Sequence, residues 1–174
     1  MRKTSVFFGV ALFAFILSAC FHGRQSTSVI GYRHQMVFLK KDLYYKVGEL
    51  PPSWKWLKTH TKTAAFHNES LGATISTDAF CGSSFEDLPL KVLNSQLFAG
   101  TTDLKIKKET EFMLDERGAL KTISTGSTDG VPLKFDSVVI KKDNCTFDFI
   151  YISPPESYAD GVADFETFYL GMSF

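Results

Sequence analysis

The sequence predicts an α+β fold, an antiparallel β-sheet meander flanked by helices, and three observations predict it. Residues 103–153 alternate runs of β-forming residues with short polar breaks, "DERG" at 115–118, "STDG" at 127–130 and "KKDN" at 141–144. The last two runs are apolar on both faces, so the sheet must be covered on more than one side. Near the end, Tyr158, Val162, Phe165, Tyr169 and Met172 fall at spacings of four, three, four and three, an amphipathic helix that can supply cover.

Taken in order, the 174-residue chain opens with Arg2 and Lys3 and is then apolar from Val6 to Leu17 apart from Gly9. Leu17-Ser18-Ala19-Cys20 follows, and charged, greasy, then small residues are the order of a secretory signal. The run falls short of the roughly 20 residues that span a bilayer. Leu-Ser-Ala-Cys resembles the bacterial lipobox, in which the cysteine thiol is diacylated before cleavage ahead of it. The resemblance implies residues 1–19 as a lipoprotein signal peptide and Cys20 as the lipid attachment point. At about 0.8 kcal/mol per buried methylene, two or three acyl chains hold a protein to a membrane stably. The competing readings are an ordinary cleaved signal with an incidental cysteine, or an uncleaved anchor. By resemblance to the enterobacterial sorting rule, Phe21, a residue other than Asp, favours the outer membrane. Residues 20–28, ending in the small, polar "FHGRQSTS", read as a lipidated tether. Residues 29–174 are then a single α+β domain in the periplasm.

In the first half of that domain, Met36 to Leu39 reads as an edge strand, with Val47-Gly48-Glu49-Leu50 leading into it or out of it. Pro51-Pro52 stops regular pairing. "AAFHNESLGATISTDAFC" reads as a strand, a turn at Asn68-Glu69-Ser70, and a strand over Ala73–Phe80. The period then changes. Phe85, Leu88, Val92 and the pair Leu93/Leu97 recur at helical spacing, with Ser84 and Asp87 as a capping pair and Gly100 as the stop. Pro89 has to lie in the first turn, where its missing N–H costs little.

The second half gives four strands, 103–114, 119–126, 131–140 and 145–153, joined as a meander, because Asp, Asn and Gly favour the tight turns between them. Val131, Leu133, Phe135, Ser137 and Val139 share one face of the third. On the fourth, Phe147, Phe149 and Tyr151 face one way and Ile150 and Ile152 the other. Pro154-Pro155 separates this strand from the last helix, which Asp160 can cap. The stretch "DGVPLKFDSVVIKKDNCTFDFIYISPPESYADGVADFETFYLGMSF" resembles the PsbP/DcrB-like α/β sandwich, with its strand, turn, strand, Pro-Pro, helix order. The resemblance implies a central antiparallel sheet flanked by helices. Such domains are mostly extracytoplasmic or adaptor proteins with no shared active site, so no catalytic residue is carried over.

Charge is balanced, 19 basic against 19 acidic residues, and no basic cluster or stripe points to nucleic acid. Cys81 and Cys145 are the cysteines beyond Cys20, and in an exported chain a single disulfide between them is the economical reading. Closing the long loop between them contributes about 4 kcal/mol on the chain-entropy model. A reactive thiol would need a histidine base, and His22, His34, His60 and His67 have no recognisable spacing to either cysteine. No Cys or His pair has zinc-ligand spacing, so no metal is expected, and no cofactor. Ser83 and Ser84 in "CGSSFE" lack the second glycine of a serine-hydrolase elbow. "STGSTDGVP" lies between two strands and reads as a hairpin rather than a phosphate loop.

The leading expectation is therefore a non-enzymatic envelope lipoprotein that binds an envelope protein partner or steadies a membrane-associated assembly. A second is a small-ligand or lipid-binding accessory of a transport system, with Tyr44, Tyr45, Trp54 and Trp56 lining a cleft. A continuous apolar pocket of some hundreds of Å³ would mark it. A third is a hydrolase of scattered residues, which requires a buried carboxylate or histidine of shifted pKa inside a cleft.

Overall fold

The computed structural model describes residues 29–40, 43–57, 63–82 and 88–174. The expected signal peptide, Cys20, the tether, His60 and the Ser84/Phe85/Asp87 part of the expected helix lie outside the described residues. Three short strands, β1 (Gly31–Arg33), β2 (Met36–Lys40) and β3 (Leu43–Lys46), form a small antiparallel sheet in that order. Next come β4 (Lys55–Leu57), β5 (Ala64–Asn68), β6 (Ala73–Cys81), helix α1 (Leu90–Ser95) and a 3₁₀ turn over Gln96–Phe98. The meander follows as β7 (Thr102–Leu114), β8 (Arg117–Thr128), β9 (Val131–Lys142) and β10 (Cys145–Ser153), and then helix α2 (Tyr158–Leu170). Strands β4 to β10 build one seven-stranded antiparallel sheet in the order β4-β5-β6-β10-β9-β8-β7.

Strands β8 and β9 outrun their expected ends because each turn takes two residues rather than four. Asp115-Glu116, Asp129-Gly130 and Asp143-Asn144 all have positive φ at both positions. Two left-handed residues in succession match the twist of a hairpin, and Asp, Asn and Gly tolerate that backbone best. His34-Gln35 joins β1 to β2 in the same way.

Several expectations are corrected. The Met36 strand is the middle of its sheet, not an edge, and Val47–Leu50 follows β3 rather than the Met36 strand. Pro89 is the N-cap of α1, with ψ 145°, so the described helix starts one residue later than a first-turn proline allows. Its extended backbone cannot belong to a helical turn. Val92 is exposed, while Leu93 is the residue of α1 that enters the core. Asp160 stands in the first turn of α2; Ser157 is the N-cap residue, and its hydroxyl donates to the Leu71 carbonyl at 2.7 Å instead of capping.

Side-chain alternation splits the large sheet into two faces. Val138, Ile140, Phe147, Phe149, Tyr151 and Ile75 pack with Phe165 and Phe168 of α2 and with Val37, Leu39 and Tyr45 of the small sheet. On the other face Val139 packs with Leu93 of α1, and Phe135 meets Phe98 of the 3₁₀ turn. Each apolar side chain fully buried this way contributes about 1.5–3 kcal/mol. The end of the chain is stitched to β3: Lys46 and Ser173 exchange two backbone hydrogen bonds. Gly48 N–H also donates to the Phe168 carbonyl at 2.8 Å.

Candidate functional site

Among the described residues, the four aromatic residues expected to line a cleft are divided between the core and the surface. Neighbours on a strand point to opposite faces, so Tyr45 is fully buried while Tyr44 is 46 % exposed on the outer face of β3. The Tyr45 hydroxyl pairs with Thr77 Oγ1 at 2.8 Å, and its ring meets Phe147 edge-on. Burial raises its phenol pKa, with the charges of Asp78 and Asp148 adding to the effect and the Thr77 hydrogen bond opposing it. Trp54 and Trp56 share a face. Trp54 is buried, donates from Nε1 to Asp164 Oδ2 at 2.8 Å and meets Tyr151 edge-on. Trp56 stacks on Tyr32 and meets Phe66 edge-on. Three of the four rings thus belong to core packing.

Cys81 and Cys145 are paired residues of β6 and β10, disulfide-bonded with Cα atoms 4.0 Å apart. Beside them, at the end of the sheet where β7–β8 and β9–β10 turn, is a hollow of about 360 Å³. Arg117, Lys141, Lys142, Asp143, Asn144 and Thr146 line it with Cys145, so its character is polar and cationic rather than apolar.

The described residues also hold a cluster of ionisable groups that no motif announced. Asp136 on β9 has no exposed surface. Its Oδ2 accepts from Tyr158 Oη at 3.0 Å and lies 3.2 Å from Lys121 Nζ of β8. Lys121 reaches on to Glu166 of α2 at 2.7 Å and to the Tyr169 hydroxyl at 3.4 Å. Lys134 caps the outer side, with Nζ 3.5 Å from the centre of the Tyr158 ring, a cation–π contact. Burial raises the Asp136 carboxyl above the ordinary carboxylate range, against the opposing pull of Lys121 and Tyr158. Burial acts to lower the Lys121 ammonium, but the Glu166 hydrogen bond and the Asp136 charge together raise it. Burial and the Asp136 carboxylate both raise the Tyr158 phenol.

The sequence carried one signal for this cluster: Asp136 interrupts "KFDSVVI", a run whose strand is buried on both faces. A carboxylate there requires a buried partner. With no exposed surface, Asp136 meets its partners across the α2–sheet interface instead of facing a cleft, and the cluster fastens α2 to β8 and β9.

No protein-family model matches the chain, and no curated protein matches it in sequence. Solved structures do match its fold. The cyanobacterial PsbP of Synechocystis sp. superposes with a TM-score of 0.54 at 10 % identity, over 74 % of this chain and 85 % of that one. The fold is the α+β PsbP-like sandwich. LpqN, described as involved in cell envelope biogenesis of Mycobacterium tuberculosis, matches with a TM-score of 0.54 at 10 % identity, over 74 % of this chain and 83 % of its own. A Bacteroides thetaiotaomicron protein matches at 0.53 and 11 % identity, but this chain spans only 44 % of its length. At these identities the likeness is one of fold.

Proposed function

We propose that this protein is a non-enzymatic envelope lipoprotein, anchored by acyl chains on Cys20, whose folded domain binds a protein partner in an envelope assembly. The observation that carries the reading is the Cys81–Cys145 disulfide, a bond that persists in oxidising compartments outside the cytoplasm. It agrees with the Leu-Ser-Ala-Cys signal read at the start of the chain. The likeness in fold to LpqN, whose description places it in envelope biogenesis, lends further support. Tyr45, Trp54 and Trp56 are committed to the core, which favours a partner-binding surface over a carrier whose cleft they would line.

Two measurements test the reading. Radiolabelled palmitate should enter the wild-type product and fail to enter a Cys20→Ser variant; equal labelling of both removes the anchor from the proposal. Crosslinking in intact envelopes followed by mass spectrometry should recover the same envelope protein repeatedly. Recovery of this chain alone removes the partner.

A further inference from the structure

A strand that faces water on one side alternates apolar with polar residues, and the central strand of the small sheet does not. It begins Met36-Val37-Phe38-Leu39. Val37 and Leu39 turn inward, so Met36 and Phe38 point outward, and neither is a member of the core. The register sets two rungs across this outer face. One runs Gly31, Phe38, Tyr44, and the other runs Arg33, Met36, Lys46. The Phe38 and Tyr44 rings lie 6.0 Å apart, and Tyr44 is exposed. Arg33 and Lys46 are exposed at the two ends of the second rung, and neither rung carries a carboxylate. The carboxylate of Glu49 accepts from Gln35 Nε2 of the β1–β2 turn, off both rungs. Apolar and aromatic side chains flanked by cations, with no anion between them, match the interface of a bilayer that contains anionic lipid.

The second observation is where the chain enters this sheet. Val29 packs against the core and the Ile30 N–H donates to the Phe38 carbonyl at 2.8 Å, so the chain arrives beside the aromatic rung. Ile30 is itself exposed. Cys20 precedes Val29 by nine positions, a length that spans at most about 30 Å. A bilayer holding acyl chains on Cys20 is thus within reach of this face. We propose that the outer face of β1–β3 rests on the membrane, with Met36, Phe38 and Tyr44 at the headgroup boundary and Arg33 and Lys46 against anionic headgroups. This orientation deepens the anchored-lipoprotein reading and rests on it for proximity alone. The small sheet covers the α2 side of the large sheet, so the α1 side then points away from the bilayer, where a protein partner can reach it.

The test reads how deep this face sits. The full chain, purified from envelopes, is reconstituted into vesicles of phosphatidylcholine alone or with phosphatidylglycerol. An aromatic thiol-reactive fluorophore is placed on the outer face by Tyr44→Cys or, as the control, on the β8–β9 turn by Thr128→Cys. Brominated lipids should quench the probe at position 44, more strongly with phosphatidylglycerol present, and leave the probe at position 128 bright. Arg33→Gln/Lys46→Gln should lower the ratio of lipid-contacting to free probe about tenfold and abolish the phosphatidylglycerol effect. Phe38→Thr should weaken quenching in both kinds of vesicle, and a wild-type circular dichroism spectrum shows that these variants are folded. Equal quenching at the two positions, none at either, or quenching indifferent to Arg33→Gln/Lys46→Gln overturns the proposal. Protection of the probe at position 44 from iodide without lipid quenching also overturns it, because a second copy of the chain then covers the face. Palmitate is measured on the same product. Quenching at position 44 without palmitate removes the anchor and keeps the face; palmitate without quenching at position 44 does the reverse.

Discussion

Lys121 Nζ stands 3.2 Å from Asp136 Oδ2 and 2.7 Å from Glu166 Oε1, so one ammonium bridges a fully buried carboxylate on the sheet and a half-exposed one on α2. The two carboxylates depend on it unequally. Glu166 has water as an alternative partner, whereas Asp136, among the described residues, is held by Lys121 and Tyr158.

Lys121→Met should therefore cost about 3–5 kcal/mol of unfolding free energy, because it leaves a buried charge without its counter-ion. Asp136→Asn should cost far less, since Lys121 keeps Glu166. Urea unfolding of the two variants measures the difference, and equal losses would refute the asymmetry. The pH dependence has a definite sign. A carboxyl whose pKa is raised on folding adds stability that is fully present below its unfolded value, near 3.8, and is lost as pH rises through the raised folded value. Without Lys121 the folded value rises further, so Lys121→Met should recover much of its lost stability on acidification toward pH 4. The Lys121 contribution is present below 10.5 and lost only as pH rises through its own raised value.

The disulfide closes a separation of 64 residues, for which the chain-entropy model gives about 4 kcal/mol. The Cys81→Ser/Cys145→Ser protein should lose that amount of unfolding free energy, read as a lower urea midpoint. Its far-UV circular dichroism in buffer should remain that of the wild type, because β6 and β10 stay paired along their whole register. An unchanged midpoint would mean that the bridge contributes nothing to folding.

Gly48 marks the closest approach of the chain after β3 to the end of α2. A methyl group there would run into the Thr167 carbonyl, and both are backbone atoms with little room to yield. Gly48→Ala should destabilise by about 1–3 kcal/mol through overpacking. At Gly118 an added methyl meets nothing within 4 Å, so Gly118→Ala is the control and should leave Tm nearly unchanged.

Glu116 has φ 61° in the β7–β8 turn, a left-handed position that costs a side-chain-bearing residue about 1–2 kcal/mol. Glu116→Gly relieves that strain, and part of the gain is offset by the looser unfolded chain. A net stabilisation of about 0.5–1 kcal/mol should appear as a raised Tm; a lowered Tm would show that the turn has another requirement.

The meander was legible because its strands are long and, Glu116 apart, its turns carry Asp, Asn or Gly at the positions that need left-handed backbone. The faces of β9 and β10 followed from simple alternation. β1, β3 and β4 were not foreseen, since three or four residues give too short a period to read and their pairing comes from packing against α2 and the large sheet. On α2 the stripe of four and three missed Phe168, which a 3.6-residue period turns inward beside Phe165 and Tyr169. The core placement of Tyr45 was not foreseen for a related reason. Alternation separates Tyr44 from Tyr45, but only the layer of β1–β3 above the sheet makes Tyr45 interior. The Lys121–Asp136–Glu166 contact brings together residues 15 and 45 positions from Lys121, as antiparallel register and helix docking dictate, and nothing local announces it.

Strand β10 occupies the middle of the large sheet, yet it is the last strand to leave the ribosome. Until it arrives, β6 on one side and β9 on the other have no common neighbour, and α2 has no floor on which to settle. The earlier hairpins must wait unjoined, their apolar faces open, while the remaining chain is made. Whatever keeps that waiting chain soluble acts before the domain exists, and release should be timed by the arrival of β10 and α2.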